Sequence, residues 1–181
     1  MRSVCTPLAF PPQGRPGATG LASGFGQATY THAAAAPGEY LDANTRTPIL
    51  FEPDPALSSD YLNPPFRGHV FWDGHRIVGR ALADFLFAQV NLRVTPEVAG
   101  GTVTVDLDAG SSVGSLVSDT FDLDRSVQVE QRVTLKLFFQ TLGNVMANGA
   151  APYVTSTVPA RIMRESVLVM PLSLYLPGAL P

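Results

Sequence analysis

Hydrophobic and polar residues alternate with a period of two along several separate stretches of this chain. That spacing is the mark of β-strands with one face buried. In Thr102–Leu107 (TVTVDL), Val103, Val105 and Leu107 fall on one face, and Thr104 and Asp106 on the other. In Val127–Gln140 (VQVEQRVTLKLFFQ), Val133, Leu135, Leu137 and Phe139 point inward while Thr134, Lys136 and Gln140 point out. Residues 81–95 (ALADFLFAQVNLRVT) put Leu82, Asp84, Leu86, Ala88, Val90, Leu92 and Val94 in one phase. The other phase holds Ala83, Phe85, Phe87, Gln89, Asn91 and Arg93. Residues 81–88 also allow a short helix with Leu82, Phe85 and Leu86 on one side, but the unbroken alternation favours a strand.

The closing stretch Ser166–Leu176 (SVLVMPLSLYL) differs, because it is apolar on both faces. Val167 and Val169 share one face, and Leu168, Met170, Leu172 and Leu174 the other. Such a strand is covered on both sides or meets another chain. Pro171 lacks the N–H of a ladder bond, which predicts an edge position or a bulge at that point. Weaker strands are expected at Thr47–Glu52 and Tyr153–Val158. Asp73-Gly74, between His69–Trp72 and His75–Val78, predicts a type I′ hairpin turn, and Gly100-Gly101 and Asn148-Gly149 predict turns. The count is seven to eight antiparallel strands with no long helix: an all-β sandwich or jelly roll spanning residues 46–181.

Residues 1–45 show neither period. Gly, Pro, Ala, Ser and Thr dominate, and apolar residues occur singly. This predicts an N-terminal arm that stays disordered or orders in extended form on a neighbour, with Phe10, Phe25 and Tyr30 as its anchors.

Composition narrows the function. The 181-residue chain is 45% hydrophobic and 15% charged, against about 25% charged in an ordinary soluble domain. Part of its surface is therefore expected to be covered by a partner. A net charge of −3 argues against nucleic-acid binding. No apolar run reaches the length that spans a bilayer, and no export signal is evident. Cys5 is the only cysteine, so neither an internal disulfide nor a thiolate zinc site is expected.

Candidate chemistry is sparse. His69, Asp73 and His75 around the turn have the residue types of a metal site, although Asp73 is equally explained by the turn. Asp106, Asp108, Asp119, Asp122 and Asp124 suggest calcium, but without EF-hand spacing. Tyr61, Phe66, Phe71 and Trp72 could stack on a sugar, or serve the core. No Gly-x-Ser-x-Gly or phosphate-binding glycine loop occurs. No cofactor and no catalytic residue is expected.

The pliant arm, the hairpin Val90–Leu107 (VNLRVTPEVAGGTVTVDL), the stretch Val127–Phe139 and the closing Val167–Leu176 together resemble bacteriophage virion proteins. More narrowly, they are similar to small jelly-roll capsid decoration (cement) or head-fibre proteins. The resemblance covers roughly residues 70–177. It implies a homotrimer on the capsid exterior, made in the host cytoplasm, that binds the major capsid protein and has no enzymatic role. On this reading Leu168, Leu172 and Leu174 pack in the core or along the oligomer axis. The alternative is a receptor- or carbohydrate-binding jelly roll of a fibre or tail.

Overall fold

A computed structural model describes residues 27–31, 37–50, 62, 66–110, 114–124 and 126–173. The described residues form nine strands: β1 (Ala28–Thr31), β2 (Glu39–Leu41), β3 (Thr47–Pro48), β4 (Phe85–Pro96), β5 (Thr102–Asp108), β6 (Ser115–Asp122), β7 (Gln131–Gln140), β8 (Ala151–Ser156) and β9 (Ala160–Ser173). Among the described residues one helix, α1 (Gly143–Asn148), precedes β8. One sheet runs β1-β9-β4-β7, with β2 also on β9, and the other runs β3-β8-β5-β6. All the strand pairs are antiparallel. β1 and β2 lie in tandem along one edge of β9, at Ser166–Val169 and Ala160–Ile162. Taken as one position, they leave eight positions in two sheets, and the chain crosses between the sheets at most connections. That is jelly-roll connectivity, and the protein is an all-β sandwich.

The alternation places the core. Leu86, Ala88, Val90, Leu92 and Val94 of β4 are fully buried, facing Val103, Val105 and Leu107 of β5 and Val154 of β8. β7 adds Val133, Leu135, Leu137 and Phe139, and β9 adds Ile162, Val167 and Val169. The loop before β4 also enters the core: Leu62, Phe66, Phe71, Trp72 and Ile77 have essentially no exposed surface. It is pinned at Ile77, which exchanges two 2.8 Å backbone bonds with Ala150.

Of the two consequences predicted for Pro171, the bulge is present, whereas β9 is an interior strand between β1 and β4. Phe85 pairs with Ser173 and Leu86 with Pro171, so Leu172 is the extra residue of a β-bulge. β1 reaches only to Val169, so no described strand needs the missing N–H of Pro171 on that side. A second bulge leaves Glu165 unpaired between Asn91↔Ser166 and Leu92↔Arg164.

Several expectations are corrected. The arm predicted over residues 1–45 is not structureless in its described part, because β1 and β2 are sheet strands. Tyr30 is fully buried, and its hydroxyl accepts the Phe71 N–H at 2.6 Å. It is a core residue of its own chain and not an external anchor. Phe10 and Phe25 lie outside the described residues, as do Tyr61 and Leu174. Asp73-Gly74 does not form a type I′ turn. Trp72 bridges Ile77 around a four-residue loop, and Gly74 has positive φ whereas Asp73 does not. The Asp73 carboxylate accepts from the N–H groups of His75 (3.0 Å) and Arg76 (2.9 Å), an Asx turn in place of a paired left-handed one. β4 starts only at Phe85. Residues 81–84 form a turn in which the buried Asp84 carboxylate accepts the Ala81 N–H at 3.0 Å, which leaves Leu82 exposed. β9 begins at Ala160, before the predicted Ser166, and so takes in Ile162 and Met163.

Candidate assembly surface

The side of the β1-β9-β4-β7 sheet that faces away from the core carries the residues of the second phase. On β4 these are Phe85, Phe87, Gln89, Asn91, Arg93 and Thr95. The register sets Phe87 between Phe138 of β7 and Met170 of β9, and Gln89 between Lys136 and Leu168. Paired residues share a face, so these residues form rows across one surface of the sheet. Along β4 the chemistry changes from aromatic to amide to ionic.

At the first end the face is apolar. Phe138 is 64% exposed and Leu172, at its bulge, 37%. Phe85, Phe87, Leu168 and Met170 are half-buried. The Phe138 ring lies parallel to Phe85 at 6.2 Å and tilted against Phe87 at 5.0 Å. These rings cover part of one another and still present a contiguous apolar surface. Leu82 (54% exposed) and Leu142 (55%) flank the same end of the sheet, where Ala83 N–H donates to the Thr141 carbonyl at 3.0 Å.

The middle of the face is polar and closed on itself. Asn91 is 4% exposed. Its amide nitrogen donates to Ser166 Oγ, and its oxygen accepts from Gln89 Nε2 and Thr134 Oγ1, all at 2.9 Å. A buried amide so satisfied costs little.

At the far end Arg93 and Arg132 stand directly opposite each other, which alone would repel. Glu165 resolves the conflict. The bulge turns this carboxylate onto the face, 3.6 Å from Arg93 and 3.0 Å from Arg132. Glu130 approaches Arg93 at 3.3 Å, and Glu97 pairs with Arg161 at 2.8 Å. Three arginines thus meet three glutamates, and a cleft of about 310 Å³ beside them is lined by Glu97, Glu130, Arg161 and Met163 among others.

Of the predicted interface residues, Leu168 and Leu172 lie on or beside this apolar end, while the inter-sheet core takes Val167 and Val169. Sequence reasoning missed Phe85, Phe87 and Phe138. The signal was available, since the three rings sit in the polar phase of otherwise alternating strands.

The other candidate constellations are engaged elsewhere. His69 Nε2 lies 3.1 Å from the Val78 carbonyl, its ring edge-on to Phe71 at 4.5 Å, and burial holds its pKa below the ordinary value. His75 is exposed. Asp106 and Asp108 both bind Arg46, whose guanidinium also lies 3.7 Å above the Tyr153 ring. Among the described residues no group of three or more His, Cys, Asp or Glu is placed to hold a metal ion. Phe66, Phe71 and Trp72 are wholly buried, so the predicted sugar-stacking platform is a piece of the core. No helix among the described residues is long and apolar enough to cross a membrane.

No protein-family model and no curated protein matches the sequence. Among solved structures, the chain is similar to Eiger TNF from S. frugiperda at 11% identity and TM-score 0.48, covering 87% of this chain and 99% of that one. It is similar to the PRD1 vertex protein P5 at 15% identity and TM-score 0.46, covering 83% and 74%. The Tobacco streak virus coat protein follows at 12% identity and TM-score 0.31, covering 85% and 93%. The assignment as a jelly-roll sandwich rests on the strand order of this chain itself.

Proposed function

We propose that this protein is a structural component of a virion: a capsid decoration, or cement, protein that self-associates as a homotrimer and binds the shell of major capsid protein. The observation that carries the reading is the apolar end of the outer sheet face, above all Phe138 at 64% exposure between Phe85 and Phe87. Water against three adjoining aromatic rings and two leucines is unfavourable, at roughly 25 cal/mol per Å² of apolar surface left uncovered. Contact with neighbouring copies removes that cost, and a closed ring does so without leaving an open end. The low charge content fits a surface largely committed to neighbours.

In this reading the Gly- and Pro-rich residues 1–26 grip the shell through Phe10 and Phe25, and many weak contacts add up because each site repeats. Tyr30 no longer belongs to that set. Neither a cofactor nor a catalytic step is required.

The test compares two substitutions on β7 by sedimentation velocity. Arg132→Ser, at the charged end, leaves the wild-type oligomer in place. Phe138→Ser yields a folded monomer of 19.2 kDa. A Phe138→Ser chain that sediments with the wild type overturns the proposal. Removing residues 1–26 leaves the oligomer intact and abolishes attachment to the shell; removing residues 1–45 would also remove β1 and β2.

A further inference from the structure

We infer that the apolar end of this face is covered by residues Leu174–Leu176 of a neighbouring copy, an inference that rests on the self-association proposed above. Ser173, the last described residue of β9, pairs with Phe85, the first residue of β4. Ser173 therefore lies beside the apolar patch, and Leu174 is the next residue in the sequence. The next residues, Leu174, Tyr175 and Leu176, are uncharged and bulky, and Pro177-Gly178 follows them. In extended form Leu174 and Leu176 fall on one side, and the three residues span about 10 Å. The patch extends from Phe85 to Gln89 along β4, about 13 Å, so the two match in size as well as in chemistry.

Direction selects the neighbour over the chain's own face. The patch lies forward along β4 from Phe85, while the antiparallel β9 runs the other way and reaches Phe85 only at Ser173. To lie on its own patch the chain must reverse before Leu174. The one turn-forming pair in this stretch, Pro177-Gly178, comes after Leu176. A tail that continues straight on reaches the same end of another molecule. Each copy then both gives and receives one segment, which is the heterologous contact of a closed ring.

The test uses the full chain with Cys5→Ser, which removes the only native thiol. Two cysteine pairs that leave the rings in place are introduced in separate variants: Gln140→Cys, opposite Phe85, with Leu176→Cys, and Lys136→Cys, opposite Gln89, with Leu174→Cys. After mild oxidation, a disulfide joining different chains on a non-reducing gel is the expected result for at least one pair. A chain lacking residues 174–181 is expected to sediment as a smaller species than the full chain. A disulfide within one chain only, or no disulfide from either pair, overturns the inference, as does unchanged sedimentation of the truncated chain. If those results accompany a Phe138→Ser variant that still dissociates, the self-association reading stands and only the identity of the covering segment fails. A full-length wild type that is monomeric defeats both.

Discussion

The two ends of one sheet face, built on the same three long strands, have opposite states of completion. At the ionic end every described charge has its partner: Glu165 between Arg93 and Arg132, Glu130 on Arg93, Glu97 on Arg161. The Asn91 network beside it is likewise satisfied by Gln89, Thr134 and Ser166. At the aromatic end Phe138 and Leu172 remain in water. Polar groups can complete one another within a chain at short range. An apolar group is completed only by more apolar surface, and the core on the other side of the sheet is already full. The described residues therefore leave apolar surface uncovered at one end of the face and pair the charges at the other.

The comparison breaks most severely through substitutions on β9, where adjacent residues serve opposite sides of the sheet. Val169→Asp places a charge in the inter-sheet core, where Val169 is fully buried. It is expected to cost more than about 4 kcal/mol and leave little folded protein, as read by urea denaturation. Leu168→Asp, one residue away on the outer face, is expected to keep the fold and lose the oligomer. If both variants unfold alike, the outer face is not a separate surface. Next in size is Asn91→Ala, which strips Ser166 and Thr134 of their partner. A loss of roughly 1–3 kcal/mol in the same denaturation is expected, and no loss at all would mean that the network is idle. The smallest effect is expected at the charged end: Arg132→Ala costs less than about 1 kcal/mol, and a larger loss would show that the ion pairs there carry stability.

One expectation concerns acidity. Burial lowers the pKa of His69 below 6.5, against the opposing bond to Val78. The unfolded chain then binds a proton at higher pH than the folded one. Stability is present above about pH 6.5 and falls as pH drops through the window between the unfolded and folded values. The melting temperature of the wild type should fall more between pH 7 and pH 5 than that of His69→Gln. Equal slopes would remove His69 from the account.

Much of the fold could be read from period alone. The core phases of β4 and β5 match the alternation, because strands buried on one face write that face into the sequence, while Asp106 of the outward phase is buried with Arg46 and Ser115 as partners. β6 was nearly invisible: as a sheet edge with most side chains exposed, it imposes little hydrophobic pattern. α1 has six residues, too few to show a helical period. β1 and β2 hid in the Gly- and Ala-rich arm, since three or four residues paired to a long strand need no run of their own. For the site, Leu168 and Leu172 were visible as the second apolar face of β9. Phe85, Phe87 and Phe138 each stand out in the polar phase of their strands, but that they form one patch follows only from the pairing of β4 with β7. The bulge at Glu165, which turns that residue toward two arginines, leaves no trace in the sequence at all.

Sedimentation equilibrium of the wild-type chain over a range of protein concentrations bears most directly on whether the aromatic end is buried between molecules. A mass three times that of the 19.2 kDa chain is predicted. A mass equal to a single chain at every concentration would contradict it.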